Sequence, residues 1–537
     1  MVVTAALGMI KRGDLDPRYL GHPASTIIYP LCFYYHFLNA TYFHGVLADP
    51  SANIENLMFD NIFVLCYLPR YLNVLLIVGS IPVLYKIGKE VFGKNAALMG
   101  IWMFPISQLL MKWGQILRSD VSALFYSMVA IYFCIRSYKE PCYKFQTLTA
   151  IFIGLAVSSR WPSLAIFSVY VMTNSALLWK NRRSAKDRLK ILALTGYGFA
   201  IAGITFALTS PYVFLTPETL MQNLLEEKMA HGLGCDGLPP LGNFMWYINH
   251  AIPLEFYLSQ SALAAIGIAI GFWKRNYLSS VLAVYTLAIL TGTSLHLFHT
   301  DKWLLPILPL LALFAGQTLA VIGTYLHEML WTKMKDKTAT VLCTVMAVLF
   351  IGYIEYDPFI AVCTSNSHKM LASTDHEFYE WTFANIPVGT KICFVGAWDG
   401  GHTERYKLMN VIQDPNWFDR VHGGKYVSPF DIYHQGYKYF AWTSYQCPFY
   451  LAAPQRYPRE CKFFKELFAN AEVVKEFSPR LLVVPNFLPI LQQGPTFRLY
   501  KFVPNANRLS DASQHEQNQA PSKKEEALQF DQGNSVY

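Results

Sequence analysis

The sequence predicts an α-helical polytopic membrane protein of about ten to eleven spans, with a small C-terminal exoplasmic α/β domain. Three observations predict this class: 53% of the 537 residues are hydrophobic, only 15% are charged, and the mean hydropathy is +0.25. Soluble domains carry about 25% charged residues, so a water-soluble chain is excluded. The high apolar content also excludes a largely disordered chain.

Apolar stretches approach the roughly 20 residues that a helix needs to cross the hydrocarbon core. We predict spans near 67–86, 95–113, 118–137, 146–160, 161–180, 190–210, 254–273, 277–297, 303–325 and 339–357. The stretch 24–47 either spans or lies flat in the interface, since His36, His44 and Pro30 interrupt it and His22 and Pro23 directly precede it. We therefore interpret 1–66 as an exoplasmic loop or interfacial segment, preceding a transmembrane domain over 67–357.

Lys and Arg are unequally divided between the two sets of alternate loops. Seventeen lie in one set, and the opposite set holds only five, which are Lys112, Arg118, Arg160, Lys228 and Lys302. The positive-inside rule makes the richer set cytoplasmic and the poorer set exoplasmic. This asymmetry accounts for the net charge of +8 without a nucleic-acid partner.

Residues 358–502 have the mixed polar and apolar rhythm of an α/β domain. We predict helices over 375–385 and from Cys461, and strands from Lys391, Tyr437 and Phe497. By the span count this domain lies on the exoplasmic side. Residues 503–537 are rich in Gln, Asn, Ser and Lys, which predicts a disordered tail.

The scarce exoplasmic cations sit beside turns at the ends of spans. Arg118 and Asp120 share a tight turn, Arg160 precedes Trp161, and Lys302 precedes two prolines. Ionisable groups at membrane depth are functional candidates, as cations for a lipid phosphate and a carboxylate for an acceptor or a metal. The structural alternatives are a solvated Arg–Asp turn, an interfacial anchor and a snorkelling lysine.

Two further segments are weaker candidates. His231 lies in a Gly-rich loop and titrates near neutral pH, although loop histidines usually have no special role. The N-terminal segment around Asp14, Asp16 and His22 is charged and rich in turns, and it is either a frayed terminus or part of a site.

Several motifs, taken in order, resemble the GT-C superfamily of membrane glycosyltransferases. The similarity is to glycosyltransferase family 39, which includes proteins like dolichyl-phosphate-mannose–protein mannosyltransferases and aminoarabinose transferases. The motifs are Gly13 to Pro23, Pro69 and Arg70 through Lys86 to Gly93, Arg118 to Asp120, Ser159 and Arg160, Ser210 to Tyr212, His231 and Gly232, Lys302 to Pro309, and Gly494 to Phe502.

The resemblance implies an inverting transfer of a sugar from a polyprenyl-phosphate donor to an acceptor protein, lipid or glycan on the exoplasmic face. The leaving phosphate needs cations, and the acceptor hydroxyl needs a carboxylate base. The resemblance assigns binding of the donor phosphate or substrate to six residues and a site role to Asp120. The six are Arg118, Arg160, His231, Lys302, Arg70 and His22.

The family places an acidic residue after its first span, a segment that would precede Val3. The resemblance therefore implies a base upstream of Met1, with Asp120 as the better candidate for a site role within the chain. Asp14 and Asp16 are not assigned as base. No cofactor is assigned, and a divalent metal at Asp120 is left open.

Two other classes compete with the enzyme. A multi-span transporter or lipid flippase is disfavoured, since the polar residues cluster at outer ends rather than at the midplane. A non-catalytic lipid-binding membrane subunit is the third hypothesis. The expected membrane is the plasma (inner) membrane in a prokaryote and the endoplasmic reticulum membrane in a eukaryote.

Overall fold

The fold is taken from a computed structural model. It describes residues 2–21, 23–52, 54–61, 63–232, 238–296, 299–331, 336–368, 373–387, 389–394, 411–413, 428–444, 451, 454–455, 458–482, 490–491 and 496–502. The chain forms two compact units. The first contains residues 1–371 and 481–491, and the second contains 372–480 and 492–537.

The first unit is helical. Its helices are α1 (Val2–Arg12), α2 (Ser25–Thr41), α3 (Ile54–Asp60), α4 (Tyr71–Val91), α5 (Lys94–Met103), α6 (Gln108–Gly114), α7 (Ser119–Lys139), α8 (Tyr143–Ser159), α9 (Ile166–Lys180), α10 (Ala185–Thr209), α11 (Tyr212–Leu215), α12 (Pro217–Gly232), α13 (Pro240–Trp246), α14 (Ile252–Glu255), α15 (Leu258–Trp273), α16 (Tyr277–Ser294), α17 (Leu308–Trp331) and α18 (Asp336–His368). Two short strands, β5 (Leu481–Leu482) and β6 (Ile490–Leu491), form a separate antiparallel pair.

Six helical stretches in the described residues are long and apolar enough to cross a membrane. They are Phe63–Val91, Ser119–Lys139, Trp161–Lys180, Ala185–Thr209, Tyr277–Ser294 and Leu308–Met329. The shorter apolar helix α15 adds a further candidate. These helices confirm the predicted class of a multi-pass α-helical membrane protein.

Helix packing in this unit centres on α7 and α8, and on α17 against α5 and α15. Small residues allow the closest approaches, as they do at many membrane helix interfaces. A Cβ added to Gly267 of α15 would overlap the carbonyl oxygen of Phe314, and one on Gly316 of α17 would overlap that of Ala96. Glycine is therefore required at both crossings.

The N-terminal helices form their own apolar cluster. Helix α1 packs on α2, with Leu7, Ile10 and Tyr35 fully buried between them. The beginning of α2 also contacts α7 and α8, where the Thr26 hydroxyl lies 2.7 Å from that of Ser159. The stretch 24–47, ambiguous in sequence, thus contains a helix fixed to the ends of two core helices.

The second unit confirms the predicted small α/β domain. Its strands are β1 (Lys391–Phe394), β2 (Val411–Gln413), β3 (Tyr437–Thr443), β4 (Ala471–Phe477) and β7 (Phe497–Phe502), and its helices are α19 (Thr374–Asn385), α20 (Pro429–His434) and α21 (Pro458–Asn470). The sheet order is β2-β1-β3-β7-β4, with β1 parallel to both neighbours and β7 antiparallel to both of its own. Phe378, Phe440 and Phe463 are fully buried in its core.

Two expectations differ from the structure. The span predicted over 95–113 is two helices, α5 and α6, because a short 3₁₀ turn containing Pro105 separates them. Helix α18 continues past residue 357 to His368, and the two units divide after Leu371. Apolar composition alone could not place that boundary, since the helix continues into polar sequence.

Substituting Gly267 by Ala should destabilise the protein by about 1–3 kcal/mol, because the new methyl group would overlap the backbone of α17. Gly292→Ala in α16 is the matched control, since no atom lies within 4 Å of the position that its methyl group would take. Thermal unfolding of the purified proteins checks this. Equal midpoints for the two variants would contradict the close crossing of α15 and α17.

Candidate functional site

The end of α8 and the beginning of α7 bring the first site residues together. Arg118 has an extended backbone just before α7, and Asp120 lies in the first turn of that helix. Arg160 has an extended backbone just after α8. Because α7 and α8 pack along each other, residues some 40 positions apart in sequence meet at one end of the helix pair.

Asp120 is held between two guanidinium groups. Arg118 Nε lies 3.1 Å from Oδ2, and Arg160 Nη1 contacts Oδ1. Asp120 is 5% exposed and Arg160 is 6% exposed, so this pair is shielded from water. The partial positive charge at the N-terminus of α7 also attracts the negative charge of Asp120. With both oxygens engaged, Asp120 positions the two arginines, and the Glu227 carboxylate is close enough to favour the charged form of Arg160.

Lys302 reaches the same place from another part of the chain. It lies in a 3₁₀ turn, Asp301–Leu304, just before α17. A cavity of about 30 Å³ is lined by Asp120, Arg160 and Lys302 together with apolar residues. Burial, together with the charges of Arg118 and Arg160, lowers the pKa of Lys302 to about 8. Arg160 and Lys302 therefore share one small cavity, and the charge of Arg118 also acts on Lys302 from beside it.

Three cationic side chains lie close to the indole ring of Trp113. Lys112 Nζ, Arg118 Cζ and Lys302 Nζ lie 5.5, 5.3 and 5.9 Å from its ring centroid, within the range of cation–π attraction. Its indole Nε1 donates a hydrogen bond of 3.2 Å to Asp301 Oδ1. Trp113 thus connects α6 to the turn that carries Lys302.

A pair of acidic side chains, Asp301 and Glu255, lies beside these cations. The sequence did not indicate Glu255 as a site residue. Lys112 Nζ contacts Asp301 Oδ2 and lies 3.7 Å from Glu255 Oε1. Glu255 is 4% exposed, and its Oε2 has no hydrogen-bond partner among the described residues. The sequence feature that could have identified Glu255 is its position as an isolated acidic residue between Pro253 and the apolar helix α15.

The segment that follows α1 contacts α12 and Trp161, the residue next to Arg160. Tyr19 donates its hydroxyl hydrogen to Glu227 Oε1, and the Leu20 amide donates to Asn223 Oδ1 at 2.8 Å. Trp161 Nε1 donates to the Leu20 carbonyl oxygen at 3.3 Å. These hydrogen bonds hold the N-terminal loop between α12 and Trp161.

The remaining candidates lie elsewhere or outside the described part. Arg70 Cζ lies 4.6 Å from the ring centroid of Tyr67, and no contact among the described residues joins it to Arg118 or Lys302. His22 lies outside the described residues, and His231 is the penultimate residue of α12 with its side chain outside them. Asp14 is paired locally, 3.0 Å from Arg12 Nε.

The residues around Asp120 do not fit a divalent metal. Both of its carboxylate oxygens contact guanidinium groups, so a cation would have to displace an arginine. Within the described ranges, no group of three His, Cys, Asp or Glu side chains is placed to hold a metal ion.

Comparisons with known proteins agree with this architecture. Residues 58–208 match the sequence model of the dolichyl-phosphate-mannose-protein mannosyltransferase family. No curated protein sequence matches the chain at a significant level. The match and the fold together confirm the resemblance to GT-C membrane glycosyltransferases.

Two solved structures are similar to this chain. The Archaeoglobus fulgidus oligosaccharyltransferase tethered to an acceptor peptide is similar over 92% of this chain and 69% of that chain, with 13% identity and a TM-score of 0.50. ArnT from Cupriavidus metallidurans bound to undecaprenyl phosphate is similar over 94% of this chain and 93% of that chain, with 11% identity and a TM-score of 0.44.

Arg160→Ala should lower the free energy of unfolding more than Arg118→Ala. Both side chains of the Arg160–Asp120 pair are buried, whereas the Arg118 side chain is 31% exposed. Removing Arg118 should therefore cost less stability. Breaking a buried pair costs about 3–5 kcal/mol, and exposed pairs are worth about 1 kcal/mol or less. Denaturant unfolding of the two variants checks the order, and equal losses would contradict it.

Proposed function

We propose that this chain transfers a sugar from a polyprenyl-phosphate-linked donor to an acceptor on the exoplasmic face, with inversion at the transferred carbon. The observation that carries the proposal is that Arg160 and Lys302 line one small cavity together with Asp120, whose other carboxylate oxygen contacts Arg118. Cations are scarce on this predicted side of the membrane, so three of them in and beside one site favour an anionic ligand in addition to Asp120. The matched family of mannosyltransferases supports a phosphate-linked donor.

The chemistry uses the cations of this cluster. When the bond between the sugar and the phosphate oxygen breaks, the polyprenyl phosphate leaves with one more negative charge than it had in the donor. Fixed cations in a poorly hydrated site stabilise that charge as it develops. Asp120 holds Arg118 and Arg160 in place, and Lys302 adds a further positive charge at the cavity wall.

The acceptor hydroxyl attacks the sugar carbon from the opposite face and gives its proton to a carboxylate. Asp120 is a poor base, because both of its oxygens contact arginine side chains. In this proposal a carboxylate other than Asp120 takes the proton, and Asp120 is a positioning residue. The acceptor is a protein, a lipid or a glycan.

Lys302→Ala and Arg118→Ala should each reduce transfer by about a hundredfold or more, the usual effect of deleting a group that stabilises developing charge. The measurement is transfer from a radiolabelled polyprenyl-phosphate sugar into membrane acceptors. Lys89→Ala, which removes an exposed cation from the far end of α4, is the matched control and should leave transfer unchanged.

Near wild-type transfer by both site variants would remove these residues from the site. Binding of the donor without transfer under any tested acceptor would favour the non-catalytic lipid-binding subunit instead.

Transfer should also fall as the pH rises through about 8, because the pKa of Lys302 is lowered to about 8 and only its protonated form carries the charge. Well below that pH the Lys302 side chain is fully protonated, and its stabilisation of the leaving phosphate is at its maximum. Lys302→Arg keeps a positive charge to above about pH 12 and should remove this alkaline loss. An unchanged pH profile in Lys302→Arg would show that another group controls it.

A further inference from the structure

A second group of cavities lies away from the cluster of Arg118, Arg160 and Lys302, beside loops that the sequence places on the cytoplasmic side. The first cavity has a volume of about 370 Å³, and its polar wall includes Lys94, Asn95, Lys274, Asn276 and Gln317. Both lysines belong to the cation-rich set of loops. The structure therefore brings two separate cytoplasmic loops to one pocket.

The positive charge in this cavity is uncompensated among the described residues, where neither Lys94 nor Lys274 forms an ion pair. Glu90, the nearest acid in sequence to Lys94, lies beside Arg136 and Lys139 instead. Gly93 and the first residues of α5 also line the cavity, and Gly93 provides no side-chain cap for that helix. Uncapped amides at a helix N-terminus favour anions.

Gln317 supplies an independent sign of a ligand. It is 6% exposed, it lines the cavity, and its Oε1 has no hydrogen-bond partner among the described residues. Leaving such an oxygen buried and unpaired is unfavourable. The close crossing at Gly316 fixes the neighbouring backbone against Ala96, so α17 holds Gln317 in this position. A ligand here needs a hydrogen-bond donor as well as an anionic group.

A second cavity, also of about 370 Å³, continues from the first. The two share Asn95, Ala320 and Thr324 in their walls, and the second is lined mainly by apolar residues of α17 and α18 such as Leu326 and Phe350. A cationic pocket that opens into an apolar one matches a phosphate head group joined to acyl chains. A free phosphate ion would leave the apolar cavity unused.

We propose that these two cavities bind an anionic phospholipid whose head group carries hydroxyls, with its phosphate at Lys94 and Lys274 and an acyl chain between α17 and α18. A head-group hydroxyl donates to Gln317 Oε1. This site is distinct from the proposed sugar-transfer site and does not depend on it.

The test measures lipid bound to the delipidated full-length protein in detergent by native mass spectrometry. Phosphatidylglycerol should bind more tightly than phosphatidylcholine. Lys94→Ala with Lys274→Ala should weaken that binding about fivefold for each lysine, from about 1 kcal/mol per cation near a lipid surface. Lys89→Ala with Lys180→Ala removes two exposed cations from the same predicted side and should leave it unchanged.

Two further variants separate the parts of the ligand. No atom lies within 4 Å of a Cβ added to Gly323, which lines the apolar cavity, so the side chain of Gly323→Leu starts in open space and should occupy part of that cavity. It should weaken phosphatidylglycerol binding and leave inorganic phosphate binding unchanged. Gln317→Leu should abolish the preference for phosphatidylglycerol over phosphatidylmethanol, which lacks hydroxyls.

Three outcomes would overturn the proposal. Equal binding of phosphatidylglycerol and phosphatidylcholine would show that no anion site exists. An equal loss in the Lys89 and Lys180 control would show that only diffuse surface charge acts. Inorganic phosphate binding together with wild-type lipid binding by Gly323→Leu would indicate a free-anion pocket. Sugar transfer is not measured, so failure here leaves the proposed function standing.

Discussion

The candidate site depends on one buried interaction, the carboxylate of Asp120 held between Arg118 and Arg160. It joins the beginning of α7 to the end of α8, and both oxygens are used. Removing either a charge or its partner from such a place leaves an uncompensated charge out of water, which is costly. The pair therefore fixes two guanidinium groups at an end of the helices where flexible cations would otherwise turn toward solvent.

The fold could be predicted in large part because its signals are local. The helices α19 and α21 and the strands β1, β3 and β7 are confirmed near their predicted positions, since alternation and helical period act over a few residues. Strand β4 was missed. It is an edge strand paired only with β7, and its largely exposed, charged sequence lacks the apolar alternation of a buried strand.

The candidate site could be predicted only in part, because its contacts are long-range. The distribution of cations placed Arg118, Arg160 and Lys302 on one predicted side, and the turn suggested the pairing of Arg118 with Asp120. The contact of Arg160 with Asp120 depends on how α7 and α8 cross. The place of Glu255 depends on the break at Pro105, after which Ser107 Oγ donates to the Glu255 carbonyl oxygen at 3.0 Å.

That break also explains why Lys302 keeps its charge available. Asp301 is adjacent in sequence and would be the obvious counter-ion, but α6 carries Lys112 and Trp113 onto its carboxylate. The Lys302 side chain instead lies in a cavity with Asp120 and Arg160, and Arg118 already shares the Asp120 carboxylate. The charges of Arg118 and Arg160 lower the pKa of Lys302, and those of Asp301 and Glu227 offset part of that effect. An arriving phosphate would relieve the repulsion among the three cations, so binding would be strongest for the most negative form, the leaving polyprenyl phosphate.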